Sequence, residues 1–116
     1  MDFNNDKPIY LQIVEYVYER ILQHEWKENE KILSVRDLGA ELEVNPNTVM
    51  RSYEKLQQDG IIFNKRGIGF FVVEEAAVKI KSLRKESFRQ NELAQVLHTA
   101  KLLGFTEQEI LTIYNQ

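Results

Sequence analysis

Two helix-start signals lie close together in the middle of the chain, and they constrain the fold more than any bulk property does. Ser34-Val35-Arg36-Asp37 offers a serine cap with an acidic residue three positions on. Asn45-Pro46 repeats the signal in another form, an asparagine cap followed by a proline whose missing N–H costs nothing in a first helical turn. Between them Val35, Leu38 and Leu42 mark one face of a short helix, and Glu43-Val44 leaves room only for a tight turn. Val49, Tyr53 and Leu56 give the following helix a narrow buried face. Asp59-Gly60 ends it, with a glycine free to take left-handed backbone. Two short helices joined by so few residues form a helix-turn-helix pattern.

The flanks extend this unit on both sides. After Lys7-Pro8, Ile9, Ile13, Val17 and Ile21 recur at helical spacing, with Tyr10, Val14 and Leu22 widening the stripe. This predicts a first helix, with Pro8 at its first position, that ends near His24. Residues 25–33 read as a connector whose Trp26 and Ile32 fold back on the core. Beyond the third helix, Ile61-Ile62-Phe63-Asn64-Lys65 and Phe70-Phe71-Val72-Val73 are two β-rich runs around Arg66-Gly67-Ile68-Gly69, a hairpin pattern. A lone hairpin is not stable, so it must lean on the helices. The expected fold class is mainly α with a β-hairpin, a winged helix-turn-helix over residues 1–74.

From Ala76 the period changes. Val78, Ile80, Leu83, Phe88, Leu93, Val96, Leu97, Ala100 and Leu103 read as one long amphipathic helix or two shorter ones, with a break at residues 87–91. Leu103-Gly104 is a stop, and Thr106-Glu107-Gln108-Glu109 is a capping box opening a last helix with Ile110, Leu111 and Ile113. Residues 75–116 are therefore expected to form a helical tail.

Composition excludes several classes of function. The chain has no cysteine, which removes disulfides, thiolate metal sites and cysteine nucleophiles, and fits a reducing compartment. His24 and His98 belong to no spaced ligand set, so neither a metal nor a cofactor is expected. No nucleophile–base pair, phosphate-cradling glycine loop or paired acids in a defined cleft suggests an enzyme. The start of the chain, Met1-Asp2-Phe3-Asn4-Asn5-Asp6, is polar and acidic and does not resemble a leader; no run approaches a membrane span, and a soluble, cytoplasmic protein is expected. The net charge of −3 argues mildly against a nucleic-acid binder. However, the acidic excess lies wholly in residues 1–29, and the middle of the chain is neutral. A basic surface then requires the fold to gather cations on one side.

The third helix offers such a side. Opposite Val49, Tyr53 and Leu56 it carries Asn47, Thr48, Arg51, Ser52 and Lys55, amide, hydroxyl and cationic groups suited to base edges and phosphates in the major groove. Free amides at the helix start also favour a phosphate. The plainer alternative makes Asn45 and Thr48 caps only, and Arg51 and Lys55 an ordinary solvated face. Lys65-Arg66-Gly67 puts two cations at a glycine turn, either a tip for the minor groove or a simple hairpin turn with charges for solubility. Arg36, in the first turn of the second helix, is placed to clamp a phosphate or to pair with Asp37 or Glu41. The order of these elements favours the DNA-binding reading of the third helix and of the wing, while Arg36 stays open between its two roles.

Five stretches match one family in order and spacing: Pro8-Ile9-Tyr10-Leu11-Gln12-Ile13; Leu33-Ser34-Val35-Arg36-Asp37-Leu38; Val44-Asn45-Pro46-Asn47-Thr48-Val49-Met50-Arg51-Ser52-Tyr53; Asp59-Gly60-Ile61-Ile62; and Arg66-Gly67-Ile68-Gly69-Phe70-Phe71-Val72. Over essentially its whole length the chain resembles the GntR family of bacterial regulators, and its Asn-Pro-Asn-Thr-Val run and short tail resemble the YtrA subfamily. The resemblance implies a homodimer on an inverted-repeat, double-stranded DNA operator. It places DNA contacts at Arg36, the helix start 45–48, Arg51 and the wing tip Arg66-Gly67, with the C-terminal helices as dimerisation element. The sequence departs from the family's pattern at Leu33, where proline is common; at His24 and Asn29, where glycine is usual; and at Ile68 and Phe70 in the wing.

Together these readings give a DNA-binding set of Arg36, Asn45, Asn47, Thr48, Arg51, Ser52, Lys55, Lys65, Arg66 and Gly67. The dimerisation set is Ile80, Leu83, Phe88, Val96, Leu97, Leu103, Ile110 and Ile113. The tail has space for two or three helices, too few to enclose a typical metabolite pocket. Repression is expected rather than activation, because nothing resembles a dedicated polymerase-contacting element. The rival function is a protein–protein module built on the same scaffold, which suits the net acidity better.

Overall fold

In the computed structural model, which describes residues 2–116, the chain runs α1 (Ile9–Leu22), α2 (Val35–Leu42), α3 (Pro46–Gln58), β1 (Ile62–Lys65), β2 (Gly69–Val72), α4 (Ala76–Phe88), a π-helical turn (Arg89–Leu93), α5 (Ala94–Leu102) and α6 (Glu107–Tyr114). Met1, part of the polar run read above, lies outside the described residues. Pro8 occupies the cap position of α1, one place ahead of the first helical residue. Ile13, Val14, Val17 and Ile21 are buried along α1 as the spacing predicts, joined by Gln12 and Tyr18 from outside the expected stripe, whereas Ile9 at its head is exposed. The chain leaves α1 through His24 at φ 61° and turns again at Asn29, φ 63°. These are the two positions where the family pattern has glycine, and the backbone supplies the reason: both sit in left-handed conformation, which a Cβ makes costly.

Both helix caps in the helix-turn-helix form as their residues dictate. Ser34 Oγ accepts from the Asp37 amide at 3.0 Å, and Asn45 Oδ1 accepts from the Asn47 amide at 2.8 Å. Glu43 closes α2 in left-handed conformation, φ 58°. The turn brings α3 so near α2 that a Cβ on Gly39 would lie 3.0 Å from the Val44 carbonyl oxygen, tighter than an ordinary contact, so glycine eases the approach of the two helices there.

β1 and β2 pair antiparallel, Ile62 opposite Val72 through Lys65 opposite Gly69. The connector flanks the other side of β2. Asn29 N–H donates to the Val72 carbonyl, Val72 N–H to the Glu30 carbonyl, and Ile32 N–H to the Phe70 carbonyl, at 2.8, 3.2 and 2.9 Å. The hairpin therefore leans, through β2, on the connector as well as on the helices. Tyr53 is the hub of this core: fully buried, it donates its hydroxyl to the Leu33 carbonyl at 2.7 Å and meets the Phe70 ring edge-on at 5.0 Å. Phe70 thus replaces the family's small residue by facing inward, as core rather than wing tip. Burial, and secondarily the Tyr16 phenol, raises the pKa of the Tyr53 hydroxyl well above its ordinary value.

The chain divides into two units, the first reaching Ile80 and the second spanning Lys81–Gln116. This moves the expected boundary at residues 74–75. Ala76 and Ile80 are completely buried in the core of the first unit, so the opening turns of α4 complete that core. Ile80 is consequently not available to a second chain, and its place in the dimerisation set is corrected.

The second unit is built differently. No residue of the π-helical turn, α5 or α6 is buried. In place of the expected break at residues 87–91 the helix runs on without interruption, through a π turn at Arg89–Leu93. In regular α-helix Phe88 and Leu93 would point to different sides; a turn widened to i→i+5 bonding brings residues five apart back to the same side. Gly104, φ 86°, ends α5. The capping box of α6 is complete: the Glu109 amide donates to Thr106 Oγ1 at 3.2 Å, and the Thr106 amide to Glu109 Oε1 at 3.1 Å.

Candidate nucleic-acid interface

α3 buries Val49, Ser52, Tyr53 and Leu56 and turns Asn47, Met50 and Arg51 to the outside, with Thr48 half-buried. Ser52 belongs to the inner face, which corrects its assignment to the reading surface. It is completely buried, and its Oγ lies 2.8 Å from the Tyr10 carbonyl oxygen, to which it donates, and 3.1 Å from that of Thr48. A serine on a helix reads as polar surface in sequence, but here it ties α3 to α1.

The start of α3 also differs from expectation. Pro46 has no N–H, the Asn47 amide is taken by Asn45 Oδ1, and the Thr48 and Val49 amides donate to the Asn45 carbonyl at 2.9 and 3.3 Å. Its first amides are thus already bonded. What remains for an anion is the helix macrodipole and the side chains.

Arg51 lies over the Tyr10 ring, its guanidinium carbon 3.8 Å from the centroid. Pro8, Ile9 and Tyr10 of one helix start and Asn47, Thr48 and Arg51 of the other line an open cleft of about 310 Å³. Gln12 holds the chain leading into α1. Buried, it donates through Nε2 to the Asn4 and Lys7 carbonyls, each at 2.8 Å, and accepts from the Asn4 amide at 3.1 Å. Sequence reasoning had read Tyr10 as part of the apolar stripe and passed over Gln12. The available signal for Gln12 was a polar residue set between Ile9 and Tyr16, its neighbours at helical spacing.

The other cations divide into open and engaged ones. Arg36 and Arg66 are exposed and, among the described residues, neither has an ion-pair or hydrogen-bond partner, so the pairing of Arg36 with Asp37 or Glu41 does not form. Lys55 is engaged by Asp59 at 3.0 Å, one turn further along α3. Lys65 stands over the Phe71 ring, 4.6 Å from its centroid, where Phe63 and Phe71 stack at 5.6 Å. The wing tip closes by an Ile68 N–H donating to the Lys65 carbonyl at 2.9 Å, with Gly67 at φ 78° in open space. Arg66 and Ile68, the latter 58% exposed, are thereby presented at the tip.

Among the described residues no group of three or more His, Cys, Asp or Glu could hold a metal, and no helix is long and apolar enough to cross a membrane. The family model for bacterial regulatory proteins of the gntR family matches residues 9–72, from the first residue of α1 to the last of β2. The chain is similar to the HTH-type transcriptional regulator YhcF of Bacillus subtilis (strain 168), 35% identical over 109 residues, 94% of this chain and 88% of that protein. The HTH-type transcriptional repressor YtrA of the same organism is 33% identical over 104 residues, 90% of this chain and 79% of that protein. A crystal structure of a GntR-family transcriptional regulator from Bacteroides thetaiotaomicron superposes with a TM-score of 0.81 at 44% identity, covering 93% of this chain and 94% of that one. The superposition takes in the winged helix-turn-helix and the helical tail alike, and the chain belongs to the gntR family of bacterial regulatory proteins, DNA-binding transcriptional regulators and not enzymes.

Proposed function

We infer that the protein is a cytoplasmic repressor that binds an inverted-repeat operator as a homodimer, each copy laying α3 in a major groove and its wing along the adjacent minor groove. The observation that carries the homodimer is the contrast between the units. The first has a closed core, whereas π turn, α5 and α6 of the second bury nothing of their own. Leu83, Phe88, Val96, Leu97, Leu103 and Ile113 are all exposed there, more apolar surface than a short tail keeps in water. A groove of about 370 Å³ beside Leu97, Ala100, Phe105, Ile110 and Leu111 adds to this surface. A two-fold pairing of tails covers such a surface and sets two α3 helices at a fixed spacing. Repression follows the similarity to YtrA of Bacillus subtilis, which is named a transcriptional repressor.

The contact surface assigned to DNA is Arg36, Asn47, Thr48 and Arg51, with Lys65, Arg66 and Gly67 from the wing; Asn45 serves it as cap, and Lys55 contributes less because Asp59 engages it. Selection of bound duplexes from a random pool, together with light scattering of the complex, tests this reading. The expected result is a two-fold symmetric site with half-sites about one helical turn apart, bound by two chains. Affinity should fall steeply with salt as phosphate contacts release counterions. A salt-independent interaction, or a single half-site bound by one chain, overturns it.

A further inference from the structure

Tyr10 is joined to α3 from two directions. Its carbonyl accepts from the buried Ser52 hydroxyl at 2.8 Å, which fixes the first turn of α1 against the middle of α3. Its ring lies under the Arg51 guanidinium at 3.8 Å. Gln12, two residues on, clamps the Asn4 and Lys7 carbonyls, so the backbone leading into Tyr10 is held as well. Arg51 itself is exposed and, among the described residues, makes no hydrogen bond or ion pair. Its donors are all free of protein partners, and its guanidinium carbon stands over the Tyr10 ring.

An unsupported arginine on a helix surface must lose its rotamer freedom when it binds, which weakens the complex. Against an aromatic face that freedom is lost beforehand, and the planar fork is aimed. We propose that Tyr10 is a positioning residue for DNA recognition. It holds the Arg51 guanidinium flat at the mouth of the cleft between α1 and α3, so that its paired donors meet a paired acceptor on the DNA. Guanine O6 and N7, or two phosphate oxygens, have that geometry. The inference rests on the DNA-facing reading of α3, and its test separates the two.

The test uses the full chain and the duplex recovered by random-pool selection, with binding measured for wild type, Tyr10→Leu, Arg51→Ala and the double variant. Tyr10→Leu should weaken binding about fivefold when Arg51 is present and change it little when Arg51 is alanine. Tyr10→Phe, which keeps the ring, should restore binding to near the wild-type level. Equal losses from Tyr10→Leu in both backgrounds sink the positioning role but leave the α3 reading standing. Wild-type binding by Arg51→Ala sinks both. Should Tyr10→Leu fail to fold, the unaltered protein still decides the matter by NMR, because a ring 3.8 Å away must shift the Arg51 Nε–H resonance upfield. An unshifted resonance overturns the proposal. Base-pair substitutions across the duplex identify the acceptor: Arg51→Ala flattening the preference at one G·C pair points to guanine, and a uniform loss with a reduced salt slope points to phosphate, each in keeping with a positioned fork.

Discussion

Ser52 Oγ donates to the Tyr10 carbonyl oxygen across 2.8 Å, and this bond fastens the DNA-facing helix of the fold to its first helix. The role is structural because Ser52 has no exposed surface. Ser52→Ala should therefore lower the stability of the chain by about 1 kcal/mol, the usual net loss for one buried hydrogen bond. Urea denaturation should show an earlier midpoint with an unchanged slope. The salt dependence of DNA binding should stay that of wild type. A stable variant with a reduced salt slope would return Ser52 to the contact surface.

Much of this fold was legible in the sequence because its signals are local. Ser34, Asn45-Pro46, Gly60 and the box at Thr106 each act within a few residues, and each formed where its chemistry directs. Side chains whose role depends on a distant partner were misread or missed. Ser52 faces inward because a carbonyl from α1 meets it there; Ile80 closes the first core rather than joining the tail's surface; and residues 29–32 bond to β2 with no strand pattern of their own. The candidate site shows the same division. Position along their elements is enough to place Arg36, Arg51 and Arg66 on the outside, whereas Tyr10 beneath Arg51 needs the crossing of two helices to become visible.

Arg66 and Lys55 should separate under substitution, although both are cations in the expected set. Arg66 is open at the wing tip, whereas Lys55 is held by Asp59 at 3.0 Å. Arg66→Ala should weaken binding to the selected duplex and lower the slope of log affinity against log salt by about 1, as loss of one phosphate contact does. Lys55→Ala should change the slope by much less, because its charge is already partly neutralised. Titrations over a series of salt concentrations measure both slopes. Equal effects would mean that Lys55 leaves Asp59 for the DNA.

Two left-handed residues test how much strain the backbone carries. His24 and Asn29 have nearly the same φ, 61° and 63°, but asparagine tolerates this region better than histidine. Relief of the Cβ penalty, about 1–2 kcal/mol, competes with the greater freedom of glycine in the unfolded chain, about 0.5–1 kcal/mol. His24→Gly should thus stabilise by about 0.5 kcal/mol. Asn29→Gly should be neutral or slightly worse, since it also removes the Nδ2 contact to Glu74. Thermal melts of the two variants compare them directly, and the order reversed would show that the strain lies elsewhere.

Alkaline pH should destabilise the fold through Tyr53. Burial, and secondarily the Tyr16 phenol, hold its folded pKa above the ordinary value of 10.0. The sign follows from proton counts. As pH rises past that value the unfolded chain releases the Tyr53 proton while the folded chain retains it. The unfolded state then binds fewer protons, and stability falls with rising pH. Below the ordinary value the contribution is intact. Urea midpoints measured from about pH 9 upward should decline in wild type and decline less in Tyr53→Phe, which has no proton to lose. Tyr53→Phe should itself cost about 1 kcal/mol at neutral pH, because the hydrogen bond to the Leu33 carbonyl is lost. Parallel declines in the two proteins would remove Tyr53 as the source.

Where the first unit ends decides how the tail can be removed. A cut after Glu75 deletes Ala76 and Ile80, both wholly buried, and opens a cavity lined by the remaining core. Loss of one buried isoleucine side chain alone costs about 2–5 kcal/mol, a large part of the total stability of about 5–15 kcal/mol that a small domain has. A cut after Arg84 keeps those residues and one further turn of α4, while removing the exposed stripe from Phe88 onward. Residues 1–84 should therefore unfold cooperatively, and residues 1–75 should be markedly less stable or unfolded. If the tail pairs two copies, residues 1–84 should also scatter light as a monomer where the full chain scatters as a dimer. Their affinity for one half-site should persist while their affinity for the two-half-site duplex falls toward it, because the second contact is no longer intramolecular. A dimeric 1–84 chain would place the interface in the first unit and leave the apolar tail to another partner.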